Sequence, residues 1–185
     1  FGIKVFGPGR QGAQLEASKI FSKAFCQKYG IPTPRCRVFD KLGPALDYCA
    51  TADYPLVIKA DGLAQGKGSV VAQSNIEAES TLRSFMEERT LGDAGKRILI
   101  EEFLEGQEVS LLAFFDGAQF DILPPCRDYK RLLDENLGPN TGSMGSIGPV
   151  PLDRALWPVI IKNFLEQLRK GLEREGILYR GVIYL

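Results

Sequence analysis

A strand that opens into a glycine-rich loop and returns as a second strand is the feature that most constrains the fold of this chain. Residues 55–59 form a β-branched apolar run that predicts a strand, and residues 69–73 predict its hairpin partner. Glycines in the loop allow positive φ angles and a close approach of the backbone to a ligand. Two lysines and three glycines lie in or next to the loop: Lys59, Gly62, Gly66, Lys67 and Gly68. The pattern favours a loop that binds a polyphosphate, and a flexible hairpin loop with a solvated lysine is the alternative.

The loop differs from the two best-known phosphate-binding loops. It contains no Gly-Lys-Ser/Thr sequence, and a strand rather than a helix follows it. Both the Walker A motif and the Rossmann fingerprint lead into a helix. We therefore expect a different kind of nucleotide fold.

The composition restricts any anion site to a local cluster. The chain has 185 residues, which suits one domain or two small ones packed together, and 44% of them are hydrophobic. Its 23 Lys+Arg balance 23 Asp+Glu, so no overall field attracts nucleic acid or an anionic membrane. We expect neither as a partner.

Histidine and cysteine usage excludes several classes of chemistry. The sequence has no His, and its four Cys form no CxxC pair, which argues against a zinc site and against His-based catalysis. Unpaired cysteines favour a reducing compartment, so we predict a cytoplasmic protein. No apolar run is long enough to span a bilayer, and no signal peptide opens the chain.

Both ends of the sequence lie in apolar runs that resemble strands. Residues 1–6 begin without Met, and residues 178–185 end the chain. Native termini seldom cut through a strand, because the neighbouring sheet edge is then left unpaired. The expectation is a fragment of a longer protein.

Helical and strand periods alternate without a βαβ rhythm, which predicts the α+β class. A helix is predicted over residues 13–29, with Lys19 and Lys23 solvated on the face opposite its apolar stripe. A second long helix is predicted over residues 153–175. Between them, residues 124–151 have no period and read as a long loop of the functional or disordered kind.

Four carboxylates crowd the end of the apolar run 98–103. Alternation along a strand puts Glu101 and Glu102 on opposite faces, so only one of them can face a given pocket. A buried carboxylate there would accept a hydrogen bond from a purine amino group, and Glu108 would bind a ribose diol. An acidic strand end that faces water is the competing interpretation.

Basic residues and glycines form a third cluster inside the long segment. Arg127, Lys130 and Arg131 precede Gly138-Pro-Asn-Thr-Gly142-Ser-Met-Gly145. Backbone amides and hydroxyl groups of such a segment can bind phosphate or carboxylate. A flexible surface loop is again the alternative.

Taken together, the three clusters resemble the ATP-grasp superfamily and, within it, the glycinamide ribonucleotide synthetases (phosphoribosylamine-glycine ligases). The likeness covers essentially the whole chain. It rests on matching segments in the same order: residues 6–8, 14–19, 29–33, 57–68, 92–95, 101–108, 128–131 and 138–145.

The resemblance implies a set of binding residues. The nucleotide contacts would be Lys19, Lys59, Gly62, Gly66, Lys67, Gly68, Glu101, Phe103, Leu104 and Glu108. The acceptor-substrate contacts would be Asp128, Lys130, Arg131, Gly138, Pro139, Asn140, Thr141, Gly142, Met144 and Gly145. Lys130 and Arg131 would also be catalytic, and the metal ligands would lie outside this chain.

The resemblance also implies the architecture and the reaction. Two α+β subdomains would grip ATP, here truncated at both ends. Residues 1–34 would lead in from an amino-terminal domain, residues 35–103 would form the small subdomain with its lid, and residues 104–185 part of the large one. ATP, with Mg²⁺ or Mn²⁺, would convert glycine to glycyl phosphate, which phosphoribosylamine attacks to give glycinamide ribonucleotide in purine biosynthesis.

Departures from the family pattern lie in the acceptor site. Tyr129 stands where the family usually has His, and Ser143 where it usually has a second Gly. Two alternatives therefore stay open: another ATP-grasp carboxylate-amine ligase, or an ATP-binding fragment that is catalytically incompetent by itself.

Overall fold

A computed structural model describes residues 2–64 and 67–185 of the chain. Its helices are α1 (Arg10–Ala17), α2 (Lys19–Tyr29), α3 (Leu42–Thr51), α4 (Asn75–Leu82), α5 (Leu156–Ile160) and α6 (Glu166–Arg174). Its strands are β1 (Cys36–Phe39), β2 (Leu56–Ala60), β3 (Ser69–Ala72), β4 (Ile98–Glu102), β5 (Leu112–Phe115), β6 (Phe120–Ile122), β7 (Arg127–Leu133), β8 (Leu137–Ile147) and β9 (Gly181–Tyr184). Short π-helical segments follow α4 (Arg83–Glu87) and join α5 to α6 (Ile161–Leu165).

An antiparallel sheet in the order β1-β4-β2-β3 forms the first layer. Alternate residues of β2 point into its core, where Leu56, Ile58 and Ala60 are buried, as the period of two along a strand requires. Helices α3 and α4 cover this face through Ala45, Cys49, Ala78 and Leu82. Ser74 caps α4 by accepting a hydrogen bond from the Glu77 amide.

A second antiparallel sheet, in the order β6-β5-β9, packs on helices α2 and α6. The core between them is apolar and consists of Phe25, Ile31, Phe115, Leu168, Leu172, Ile177, Tyr179 and Ile183. Gly171 permits this contact, because a Cβ atom built there would lie 2.5 Å from the Phe25 ring. Helix α2 therefore joins the second core, while its amino-terminal half reaches the first sheet.

Antiparallel pairing throughout the described strands confirms the predicted α+β class. The β2–β3 hairpin is also confirmed, with Lys59 opposite Ser69. The division predicted at residues 34 and 103 stays a prediction.

The helix predicted over residues 13–29 is two helices. Ser18 has extended backbone angles, ends α1, and accepts a hydrogen bond from the Phe21 amide as the N-cap of α2. The prediction of one helix was wrong because the apolar stripe continues across a residue whose side chain competes with the helical backbone. At this break Ser18 Oγ and the Ile20 amide donate to Asp61, which follows β2 of the first sheet.

The segment predicted to be a structureless loop is a two-stranded sheet. Strands β7 and β8 pair from Arg127 opposite Ile147 to Leu133 opposite Leu137, with shifts in register between. Backbone pairing makes this ribbon, so its Gly, Pro and Asn content hid it from a prediction based on side-chain propensity. The strand predicted at residues 1–6 was also wrong for its described part, since residues 2–6 pair with no described strand and Ile3, Val5 and Phe6 are exposed.

Within the described residues, none of the helices has both the length and the apolar character needed to cross a membrane.

Candidate nucleotide-binding cleft

A cleft of about 650 Å³ lies where α2 meets the first sheet. The glycine-rich loop, β4 and the β7–β8 ribbon contribute to its walls. Its polar lining comprises Glu16, Lys19, Ser22, Lys23, Thr33, Lys59, Ser69, Glu101, Lys130 and Tyr184. A larger cavity of about 940 Å³ adjoins it, but apolar side chains such as Phe25, Phe164 and Leu168 dominate that lining and do not suit a charged ligand.

Lys59 and Glu101 form an ion pair on the face of the sheet opposite the first core. Val57 lies opposite Glu101 in the β2–β4 register, so Lys59, two residues along, shares the face of Glu101. The Lys59 Nζ lies 2.7 Å from Glu101 Oε2. Glu101 is 2% exposed, whereas Glu102 turns away to Arg35, which confirms that the two carboxylates occupy opposite faces.

Lys23 completes the surroundings of Glu101, which corrects the prediction that it is solvated. Its side chain is 12% exposed, and its Nζ lies 3.2 Å from Glu101 Oε1. The same ammonium group donates to Thr33 Oγ1 at 2.6 Å and to the Pro34 carbonyl at 3.1 Å. Among the described residues, Glu101 Oε1 accepts no hydrogen bond of good geometry, so this oxygen retains the capacity to accept one.

Lys19 lies one helical turn before Lys23 and was likewise predicted to be solvated from its pattern. Its Nζ donates to the carbonyl oxygens of Ala60 at 2.9 Å and Gly62 at 2.8 Å. These bonds use two of the three ammonium protons and leave one for a ligand in the cleft. Burial lowers the pKa of Lys19 below its ordinary value of 10.5, Asp61 opposes this shift, and Lys59 adds to it.

The glycine-rich loop begins at Gly62 and returns at Gly68. Gly62 has a φ of +142°, which strains any residue with a side chain. A Cβ atom at Gly68 would lie 2.7 Å from that of Ala64. Lys67 is exposed, and Gly66, also predicted to contact nucleotide, lies outside the described residues.

Positive charge predominates in the cleft although the whole chain is neutral. Four lysines line it, against the carboxylates of Glu16 and Glu101. The positive charges of these lysines repel one another. An anion bound between them offsets this repulsion, so the cleft favours an anionic ligand. The arrangement can bind a polyphosphate at the lysines and a hydrogen-bond donor at Glu101.

The remaining residues predicted to bind nucleotide lie on the segment after β4 and do not line this cleft. Phe103, Leu104 and Glu108 are all exposed. Glu108 Oε2 lies 3.7 Å from Lys130 Nζ, which connects this segment to the β7–β8 ribbon. The structure thus brings Lys19, Lys59, Gly62, Gly68 and Glu101 together, and it places Glu108 near the rim through Lys130.

The β7–β8 ribbon carries the predicted acceptor residues. Lys130 lines the cleft, whereas Arg131 donates from Nη1 to the Gly138 carbonyl at 2.7 Å and does not line it. Thr141 Oγ1 donates to the Lys130 carbonyl at 2.9 Å. Hydroxyl groups of Ser143 and Ser146 donate to Asp128 Oδ1.

Other predicted acceptor residues lie along the same ribbon. Asn140 pairs with Arg131, and Gly145 pairs with Tyr129. Gly142 and Met144 are exposed, and Pro139 falls within β8 between them and Gly138.

The sequence did not indicate the roles of two residues at the site. The spacing of four residues between Lys19 and Lys23 puts both on one helical face, but it does not show what that face contacts, and Lys23 was predicted to be solvated. Asp61 lies between Lys59 and Gly62 in the loop motif, and its carboxylate binds the start of α2. Its role depends on the packing of α2 against the end of β2, which cannot be read from the local sequence.

Residues 2–64 and 67–185 contain no cluster of three or more His, Cys, Asp or Glu side chains that could hold a metal ion. The carboxylate that is buried in the cleft, Glu101, is occupied by two lysines. These residues do not fit a divalent cation, which prefers several oxygen ligands.

Comparison with known proteins finds a matching family and relatives whose names agree with it. The family described as phosphoribosylglycinamide synthetase, ATP-grasp (A) domain, matches residues 17–185. The chain is 46% identical to the bovine trifunctional purine biosynthetic protein adenosine-3, covering 99% of this chain and 18% of that protein. It is 42% identical to the phosphoribosylamine–glycine ligase of Caldanaerobacter subterraneus, covering 99% of this chain and 44% of that protein.

A solved structure shows the same fold. The phosphoribosylamine–glycine ligase of Thermotoga maritima superposes with a TM-score of 0.89 at 40% identity, over 98% of this chain and 46% of that one. The match confirms the predicted ATP-grasp fold. The chain spans less than half the length of these relatives.

Proposed function

Because the chain belongs to the phosphoribosylglycinamide synthetase ATP-grasp (A) domain family, we propose that its cleft binds ATP and that the protein ligates glycine to 5-phosphoribosylamine. One observation carries the proposal: a buried glutamate lies between two lysines, at the mouth of a glycine-rich loop, in a cleft with excess positive charge. This combination supports the proposal, because Glu101 can accept from a purine amino group and the lysines can bind phosphates.

In the proposed complex, the phosphates lie against Lys19 and Lys59, and the loop from Gly62 to Gly68 covers them. The third proton of Lys19 and the backbone amides of the loop are the donors. The adenine amino group donates to Glu101, whose Oε1 retains capacity to accept. Phe103 and Leu104 contribute backbone groups to the purine, and Glu108 binds the ribose hydroxyls.

The proposed reaction has two steps: phosphoryl transfer to glycine, and attack of the amine on the resulting acyl phosphate. A carboxylate oxygen of glycine attacks the γ-phosphorus of ATP, the bond to the bridging oxygen breaks, and ADP leaves. The amine of phosphoribosylamine then attacks the carbonyl carbon of glycyl phosphate, loses a proton, and expels inorganic phosphate. Positioning and charge neutralisation account for most of the catalysis in such transfers.

Lys130 and Arg131 have different roles in this proposal. Lys130 reaches the cleft, where its charge can stabilise the phosphate that develops in the second step. Arg131 holds the turn of the ribbon through the Gly138 carbonyl, so it keeps the acceptor segment in position. Asp128, held by two serine hydroxyls, is available to the amine of the acceptor.

The resemblance to the family implies magnesium or manganese together with ATP. The described residues do not fit such an ion, so its ligands are proposed to lie outside them. A cytoplasmic location is also part of the proposal, and the free thiols of the four cysteines favour it.

A different amine substrate is the second candidate, and it rests on the acceptor ribbon. Ser143 bonds Asp128, and Tyr129 is exposed at the next position. A ligase of the same fold that uses another amine would keep the ATP site and change this ribbon. A panel of amines, each supplied with glycine and ATP, separates the two candidates.

Turnover by the full-length protein tests the proposal. ADP release is expected only when both glycine and phosphoribosylamine are present, and Lys59→Met should abolish it because the cleft loses a phosphate contact. Lys96→Met is the matched control, since Lys96 pairs with Asp93 on the surface. ADP release that does not depend on both substrates contradicts the proposed function.

A further inference from the structure

The carboxylate of Asp61 binds the start of helix α2. Its Oδ1 accepts hydrogen bonds from Ser18 Oγ at 2.9 Å and from the Ile20 amide at 3.1 Å. Its Oδ2 accepts from Arg97 Nη2 at 2.6 Å. The side chain of Asp61 is 5% exposed, so the two bonds at Oδ1 form largely away from bulk water, whereas Arg97 is 55% exposed and the bond at Oδ2 lies at the surface.

Lys19 and Asp61 each form hydrogen bonds with the residues that flank the other in sequence. The two donors to Asp61 Oδ1 come from Ser18 and Ile20, which flank Lys19 in sequence. The two acceptors of Lys19 Nζ are the carbonyls of Ala60 and Gly62, which flank Asp61. Four hydrogen bonds therefore fix one short segment of α2 against the base of the glycine-rich loop.

We propose that Asp61 is a positioning residue for Lys19, which aims the remaining ammonium proton of Lys19 at the phosphates of the nucleotide. The inference rests on the proposed function, because it requires that Lys19 contacts ATP. Asp61 itself does not line the cleft and acts through the lysine.

Charge strengthens the geometric argument. The amino terminus of α2 carries a partial positive charge from its unpaired amides, and the Asp61 carboxylate neutralises it. Helix α2 has no acidic residue in its own first turn, so Asp61 supplies the negative charge there. Asp61 also opposes the lowering of the Lys19 pKa by burial, so it helps to keep the ammonium charged.

Arg97 fixes the orientation of the carboxylate. It enters from the residue before β4, and its bond to Oδ2 leaves Oδ1 directed at α2. Three of the elements around the cleft, namely α2, the loop after β2 and the start of β4, thus meet at one carboxylate. A substitution at Asp61 should therefore weaken the contacts to the phosphates more than the contact between Glu101 and the purine.

A double-mutant cycle on the affinity of the full chain for ATP tests the proposal. Asp61→Asn keeps the shape but loses the charge, and we expect it to weaken ATP binding about tenfold, as for the loss of a hydrogen bond to a charged group. In a Lys19→Met background the same change should have no further effect, because the lysine that Asp61 positions is absent. Asp93→Asn, an exposed surface position, is the matched control.

A second variant covers the case in which Asp61→Asn fails to fold. Arg97→Met removes only the bond to Oδ2, and a smaller loss of ATP affinity is expected, again absent in the Lys19→Met background. If either change lowers affinity by the same factor with and without Lys19, the positioning role is refuted while the proposed function stands. If the unmodified protein binds no ATP, the proposed function itself fails, and this inference fails with it.

Discussion

Replacing Lys23 by Met measures directly whether this lysine is part of the cleft. On pattern alone Lys23 is a solvated residue whose loss costs little. In the structure its ammonium group bonds Thr33 and Pro34 and lies 3.2 Å from a carboxylate oxygen of Glu101. The two interpretations predict different stabilities.

The expected loss follows from the burial of the pair. Removing one partner of a buried ion pair costs about 3–5 kcal/mol, because the other charge is left uncompensated. Glu101 keeps Lys59 at 2.7 Å, so we expect the lower end of that range, about 3 kcal/mol. For a domain of this size, that loss lowers the midpoint of thermal unfolding by about 6–12 °C.

Urea and thermal unfolding of the full chain provide the assay. Lys28→Met is the matched control, because Lys28 lies on the same helix, is 63% exposed, and pairs with Glu175 at the surface. The control should unfold like the unmodified protein. If Lys23→Met is as stable as Lys28→Met, the buried arrangement around Glu101 is refuted.

Further predictions concern the purine, the phosphates and the loop. Glu101→Gln should reduce the preference for ATP over ITP, because an amide can donate to the carbonyl group that replaces the purine amino group; calorimetry with both nucleotides measures the ratio, and an unchanged ratio contradicts the assignment of Glu101. Since burial lowers the pKa of Lys19, its ammonium loses the proton at a lower pH than an ordinary lysine. ATP affinity should therefore decline as the pH rises toward 10.5 and should decline less in Lys19→Arg, which titration at several pH values determines; equal profiles would exclude Lys19 as the titrating contact. Gly68→Ala should weaken ATP binding, since the new Cβ atom would lie 2.7 Å from that of Ala64, whereas Gly43→Ala meets no atom within 4 Å. Equal ATP affinity in these two variants would show that the loop adjusts without cost.

Features that depend on neighbouring residues in the sequence could be predicted. The β2–β3 hairpin follows from two β-branched runs on either side of a glycine-rich loop. Strand alternation alone separates Glu101 from Glu102, and the structure buries only the first. The contact between Lys59 and Glu101 was not predicted, because it depends on the pairing of β2 with β4.

Features that depend on how elements dock could not be predicted. Lys23 and Asp61 gain their partners only when α2 lies across the end of the first sheet, and the helical pattern contains no record of that contact. The turn at Ser18 was hidden because the apolar stripe continues through it. The β7–β8 ribbon was missed because backbone pairing, rather than the propensity of its Gly, Pro and Asn residues, holds it together.

The fate of the carboxylate oxygens of glycine tests the central claim most directly. Glycine with isotope-labelled carboxylate oxygens is supplied to the full-length protein with ATP and phosphoribosylamine, and the released phosphate is analysed by mass spectrometry. We expect one labelled oxygen in each phosphate, because the oxygen that attacks ATP leaves with the phosphoryl group. Unlabelled phosphate would mean that water, not glycine, accepts the phosphoryl group, and would contradict the proposed ligase reaction.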